Sequence, residues 1–176
     1  MSDEKKCCDA PDWGYSLGFL VLRGWLGIRA LVTGLEKYAA TMSIQKPLVD
    51  PTTGMEDPSG AMVEVSQKFY SMTNYHAVPA SLKTKFDLEP MLPSLMTKPF
   101  YAVLGPLLII LGVTTLLGIG TRISLFVQGL VYIMLTVGLI LINQNDGVAW
   151  LGIHVGLIAL ALTLVKHDRL CVCKKW

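Results

Sequence analysis

Long apolar runs separated by short polar breaks fill the second half of the chain, while the first half holds one apolar run and a long mixed stretch. Residues 100–117, 123–143 and 148–165 are almost uninterrupted in their hydrophobicity. Residues 16–38 are apolar but for Arg23, Arg29, Glu36 and Lys37. A helix needs roughly 20 apolar residues to cross the hydrocarbon core. Backbone groups in lipid must be satisfied within their own segment, so all four runs are predicted to be helices. The breaks GIGTR (118–122) and NQNDG (143–147) are too short for anything but antiparallel neighbours. The expected fold class is all-α: an integral membrane four-helix bundle with a long extracytoplasmic loop, residues 39–99, between helices 1 and 2.

Within that loop, Asp57-Pro58 has the form of an N-cap followed by proline at the first helical position. Met62, Val65, Phe69 and Met72 then recur at helical spacing, which predicts a short amphipathic helix near 59–74. The remaining segments are tails, residues 1–15 and 166–176. Lys5, Lys6, Arg122, Lys166, Arg169, Lys174 and Lys175 flank one side of the spans, and NQNDG on the other side carries no cation. Short-loop cations stay inside, so both termini are expected to be cytoplasmic. The N-terminal MSDEKKCCDAPDWG has no apolar core or cleavage site of a signal peptide, so the first run is expected to remain as an anchor.

Composition strengthens this reading. Of 176 residues, 52% are hydrophobic and 16% charged, against about 25% charged in soluble domains, and the mean hydropathy is +0.51. The lipid bilayer is therefore the first partner. A net charge of +2, with no zinc-finger spacing and no phosphate-binding glycine loop, speaks against a nucleic-acid partner. Cys7-Cys8 and Cys171-x-Cys173 fall on the cytoplasmic side, where disulfides are disfavoured. Neither pair has CxxC spacing, so they read as free thiols, with lipidation as an alternative, and no metal site is expected.

The polar residues inside the spans carry the candidate chemistry. On the first span Ser16, Arg23, Ala30 and Lys37 lie seven apart, with Gly27 and Gly34 on the same side. That is a small-residue stripe suited to close helix approach. Arg29 and Glu36 form a second stripe with Trp25 one turn before Arg29, and about 10.5 Å of helix axis separates the two charges. A mid-bilayer charge costs at least about 2.5–3.5 kcal/mol, so Arg29 should face the interior with a partner, Glu36 being the nearest in sequence. Arg23 is closer to the cytoplasmic surface and could snorkel. Gln128, Tyr132 and Thr136 make a polar stripe on the third span. His154 lies about one turn into the fourth, one turn after Trp150 and flanked by Gly152 and Gly156 as a small-xxx-small pair. With Asp146 in the adjoining turn, the polar groups converge on the outer half of the bundle. Packing glue is the plainer reading of Gln128, Tyr132 and Thr136.

The pattern R-G-x-L-G-x-R-x-L-x-x-G-L-E-K at 23–37 resembles the first helix of the DoxX/DoxD superfamily, and GVTTLLGIGTRISLFVQGLVYIMLTVG at 112–138 resembles that family's second segment. The match spans all four helices but not the 39–99 loop. The resemblance implies a multi-pass protein of the bacterial inner membrane, some relatives being the membrane subunit of a thiosulfate:quinone oxidoreductase. It makes a quinone the cofactor to look for. With His154 the one intramembrane histidine, no haem is expected in this chain. On that reading Arg29, Glu36, His154 and Asp146 are the catalytic candidates, the acids relaying protons. Arg29, Tyr132, Gln128, Trp150 and His154 would bind the quinone, with Arg29 and Lys37 also drawing a small anionic substrate. The alternative is a non-catalytic accessory or assembly subunit, its partners other membrane subunits or copies of itself. A small transporter is a third reading, weakened by the lack of broken helices or inverted repeats.

Overall fold

The computed structural model describes residues 13–49, 53–55, 59–92 and 94–168. Its spine is four long helices: α1 (Trp13–Glu36), α3 (Ser94–Leu117), α4 (Thr121–Leu141) and α5 (Asn145–Leu164). All four are long and apolar enough to cross a membrane, and the chain is built as a multi-pass membrane protein. The helices start two to six residues before the expected spans and end level with them or up to two residues sooner; at α5 polar Asn145 and Asp146 begin the helix ahead of the apolar run. The readings of the four cysteines and of the Asp57-Pro58 cap lie outside the described residues.

α1 packs on α3 and α5, and α4 packs on the same two helices, around a core of Phe19, Leu26, Leu104, Leu108, Leu125, Tyr132 and Ile158. The α1–α3 seam follows the small-residue stripe. Arg23, Gly27, Ala30 and Gly34 are buried on α1. Opposite them, a Cβ built on Gly112 would lie 2.6 Å from the Leu31 backbone nitrogen, and one built on Gly34 would lie 2.9 Å from that of Ile109. No side chain fits between these backbones. Gly152 and Gly156 behave differently: a Cβ on either meets nothing within 4 Å, so this pair is not a packing seam within the chain. The expected role fails because both sit on the outward face of α5.

Residues 62–70 are a strand, not the expected amphipathic helix. β1 (Ala39–Pro47) and β2 (Met62–Tyr70) form an antiparallel ribbon, with Ala39 opposite Tyr70 and Pro47 opposite Met62. The all-α expectation is corrected to a helical bundle carrying a two-stranded sheet. The helical spacing of Met62, Val65 and Phe69 was coincident with a second pattern, Val63, Val65 and Phe69 alternating with Glu64, Ser66 and Lys68. Alternation and β-branching favour the strand, and the pairing with β1 gives its backbone groups partners. One face of the ribbon presents Met42, Ile44, Val63 and Val65, all exposed.

The rest of the loop is a cap clamped to the bundle. Ser71 N–H donates to the Tyr38 carbonyl (3.0 Å), His76 N–H donates to that of Lys37 (2.8 Å), and the Lys37 ammonium donates to the Ala77 carbonyl. The Tyr75 hydroxyl donates to the Tyr101 carbonyl and accepts from Gly105 N–H (3.1 Å), inserting into the backbone ladder of α3. Gly105 permits this, since a Cβ there would lie 2.5 Å from the Tyr75 ring. Helix α2 (Ala80–Leu88) follows and buries Phe86 against Gly138 of α4.

Candidate functional site

The two ends of the bundle treat their charges differently. At the end bearing both termini, Arg23 is only 6% exposed and ion-paired with Asp168 at 2.9 Å. Its guanidinium also donates to the Leu116 carbonyl at 3.4 Å, and Thr121 donates to the same carboxylate at 3.2 Å. Arg23 therefore does not snorkel. The stripe that packs α1 on α3 carries it inward, where Asp168, just after α5, neutralises it. Thr114 and Thr115 share Ser124 at 2.8 Å each, which satisfies the polar groups of the α3–α4 turn.

At the loop end a cleft of about 90 Å³ opens between α1 and α5, with α4 and Leu108 of α3 behind it. Its lining is Arg29, Thr33, Lys37, Leu108, Tyr132, Leu135, Trp150, Leu151 and His154. Two cations and no carboxylate stand in this wall. Burial lowers the Lys37 ammonium, one residue beyond α1, below the ordinary lysine value. Arg29 makes no hydrogen bond or ion pair among the described residues and lines the cleft beside Tyr132.

His154 lies nine residues into α5, about two and a half turns, deeper than the one turn expected, because α5 starts at Asn145. It is 3% exposed. Three aromatic rings stand around it: Trp25 near-parallel at 6.4 Å, Tyr132 edge-on at 6.0 Å and Trp150 tilted at 6.3 Å. Its Nδ1 lies 2.8 Å from the Trp150 carbonyl. A carbonyl can only accept, so Nδ1 carries a proton, and in the neutral form of the ring Nε2 is an acceptor. Nε2 is buried without a partner among the described residues. Tyr132 accepts from Gln128 Nε2 at 3.3 Å, leaving its own proton free to donate, while Gln128 also bonds the Leu26 carbonyl at 3.1 Å. Gln128 thus holds Tyr132 and ties α4 to α1 rather than touching the cleft.

Several expected site residues fall elsewhere. Glu36 does not meet Arg29. It pairs with Lys68 of β2 at 2.6 Å, both side chains about half exposed, because α1 ends there and the ribbon folds back beside it. That bond is the chief cause raising the Lys68 ammonium above its ordinary value. Asp146 is exposed in the first turn of α5, where a carboxylate suits the positive helix end, and is absent from the lining. Neither acid is placed to relay protons into the cleft. Arg29, Tyr132, Trp150 and His154 do come together, joined by Thr33 and Lys37. Thr33, one turn from Arg29 and from Lys37 on the same face, was legible from spacing. Asp168 was not: it lies 145 residues from Arg23 in a polar tail. Among the described residues no group of three or more His, Cys, Asp or Glu is placed to hold a metal.

No protein-family model, curated protein or solved structure matches this chain.

Proposed function

We propose that this chain is the membrane subunit of a quinone-linked oxidoreductase in a bacterial inner membrane, both termini cytoplasmic, with the α1–α5 cleft as the headgroup site. The observation that carries the reading is His154: a buried imidazole with one nitrogen unpartnered, boxed by aromatic rings, in a wall that also holds Arg29 and Tyr132. The oxygens of a quinone–quinol ring accept from Arg29 and Tyr132, the reduced form carries an O–H for Nε2, and apolar Leu108, Leu135 and Leu151 suit its flat faces. An intramembrane ionisable residue without a protein partner marks a ligand path by default. The resemblance of residues 23–37 to the DoxX/DoxD first helix adds to this. The test is a titration of the protein in nanodiscs with a short-tailed benzoquinone, followed by quenching of Trp25 and Trp150. Saturable quenching lost in Arg29→Gln and His154→Leu supports the reading, and no saturable quenching, alone or with co-purifying subunits, refutes it.

The ribbon favours a second reading, an accessory subunit, since its apolar face is exposed and a lone two-stranded sheet is marginal in water. Stoichiometric co-purification of larger subunits that is lost in Ile44→Asp/Val65→Asp, with quinone binding absent throughout, would favour it.

A further inference from the structure

The tautomer of His154 specifies the ligand further than the shape of the cleft does. Nδ1 is committed as a donor to the Trp150 carbonyl at 2.8 Å. In its neutral form the ring then offers Nε2 as a lone pair, and an acceptor is satisfied only by a ligand that donates. A quinone carbonyl has nothing to donate; a phenolic O–H does. Around this acceptor the cleft supplies the complementary set: Arg29, Lys37, Thr33 and the free proton of Tyr132 all donate. No carboxylate stands among them to compete for the cations.

We infer that the cleft is a phenol site: it holds the hydroxylated, reduced form of its ring ligand, with one O–H donated to His154 and the oxygens within reach of Arg29. The inference rests on the headgroup reading above and names which form of the ligand is bound. His154 is then a proton acceptor. The O–H bond breaks, its electron pair stays on oxygen as phenolate, and an Nε2–H bond forms. The imidazolium keeps its Nδ1–H bond to Trp150, and the Arg29 charge compensates the phenolate. No electron moves in this step, and the net charge of the site is unchanged.

The cleft, about 90 Å³, is smaller than the roughly 150 Å³ cavity that takes benzene. Nε2 is also covered. A wall must therefore move to admit a ring, and Trp150 of the lining is placed to do so: it is 61% exposed, and its ring lies 6.3 Å from that of His154.

The test compares three ligands of one shape on the protein in nanodiscs: a short-tailed benzoquinone, its hydroquinone held reduced, and the dimethyl ether of that hydroquinone, which has no O–H. Calorimetry should show the hydroquinone binding about tenfold tighter than the ether, the scale of one buried hydrogen bond with its partner otherwise unsatisfied. In ¹⁵N spectra of histidine-labelled protein the His154 Nε2 resonance should move toward the protonated position with hydroquinone and stay with the ether. His154→Leu should erase the preference. Equal binding of hydroquinone and ether overturns the inference. So does a preference that survives His154→Leu. Saturable quinone binding without a hydroquinone preference leaves the quinone reading standing and the phenol site refuted. No binding of any of the three refutes both. The wild-type ligand comparison stands even if the variant fails to fold.

Discussion

Arg23 and Arg29 stand six residues apart on one helix, and the two ends of the bundle have dealt with them in opposite ways. Arg23 lies on the stripe that packs α1 against α3, and there it is buried against Asp168, whose carboxylate also accepts from Thr121. Arg29 lies off that stripe, at the edge of a cleft, with no carboxylate in the wall around it. The first charge is structural: removing its partner strands a buried ion. The second is held ready at a site the protein leaves unsatisfied, beside a histidine in the same condition. A charge in a membrane helix is thus read from what its neighbours do with it, not from its presence.

The largest effect should come from breaking the satisfied end. Asp168→Ala removes the carboxylate that lies 2.9 Å from the buried Arg23 guanidinium, which should cost about 3–5 kcal/mol and remove most folded protein from detergent extracts, as size-exclusion profiles and thermal melts would show. Replacing both Arg23 and Asp168 by leucine should recover much of that loss. Gly112→Ala comes next. Its Cβ would lie 2.6 Å from the Leu31 backbone, which cannot rotate away, so the α1–α3 seam should open at a cost of about 1–3 kcal/mol in the same melts. Arg29→Gln should leave stability within about 0.5 kcal/mol, since Arg29 makes no hydrogen bond or ion pair among the described residues, while ligand binding falls. That contrast with Asp168→Ala is the sharpest mutational form of the comparison.

Two smaller effects concern pH and the loop. Burial holds Lys37 below the ordinary 10.5, so between its folded value and 10.5 the unfolded chain keeps a proton that the folded chain has released. Stability should therefore rise with pH across that window, and Lys37→Met should flatten the rise in a pH series of melts. The Lys68–Glu36 pair has the opposite sign. Its raised lysine contributes fully below 10.5 and loses that contribution as pH rises through the folded value. Because the pair is exposed, Lys68→Ala should leave the melting temperature unchanged within error.

The helices were legible in the sequence because lipid leaves an apolar run of that length few choices. The α1–α3 seam was legible too, since Gly27 and Gly34 recur at seven residues and only a close backbone explains them. So was the gathering of Arg29, Tyr132, Trp150 and His154 at one end, which follows from spans of fixed direction. What escaped was pairing across the chain. Glu36 was assigned to Arg29 because they are close in sequence, whereas its partner arrives on a strand 32 residues away. Arg23 was sent to the surface because it lies near the inner end of its span, whereas its partner Asp168 arrives from the far end of the chain. The ribbon was mistaken for a helix because Val65 and Phe69 fit both periods, and only β1 decides between them.

The most direct test of the central claim, that the loop-end cleft is a ligand site, is a cryo-electron microscopy structure of the antibody-fragment complex in nanodiscs of native lipid. Density of a flat ring in the cleft, touching both His154 Nε2 and Arg29, with the Trp150 ring displaced, is the expected result. A closed, empty cleft, with Arg29 turned into the headgroup layer or paired with a carboxylate of another chain, would contradict it.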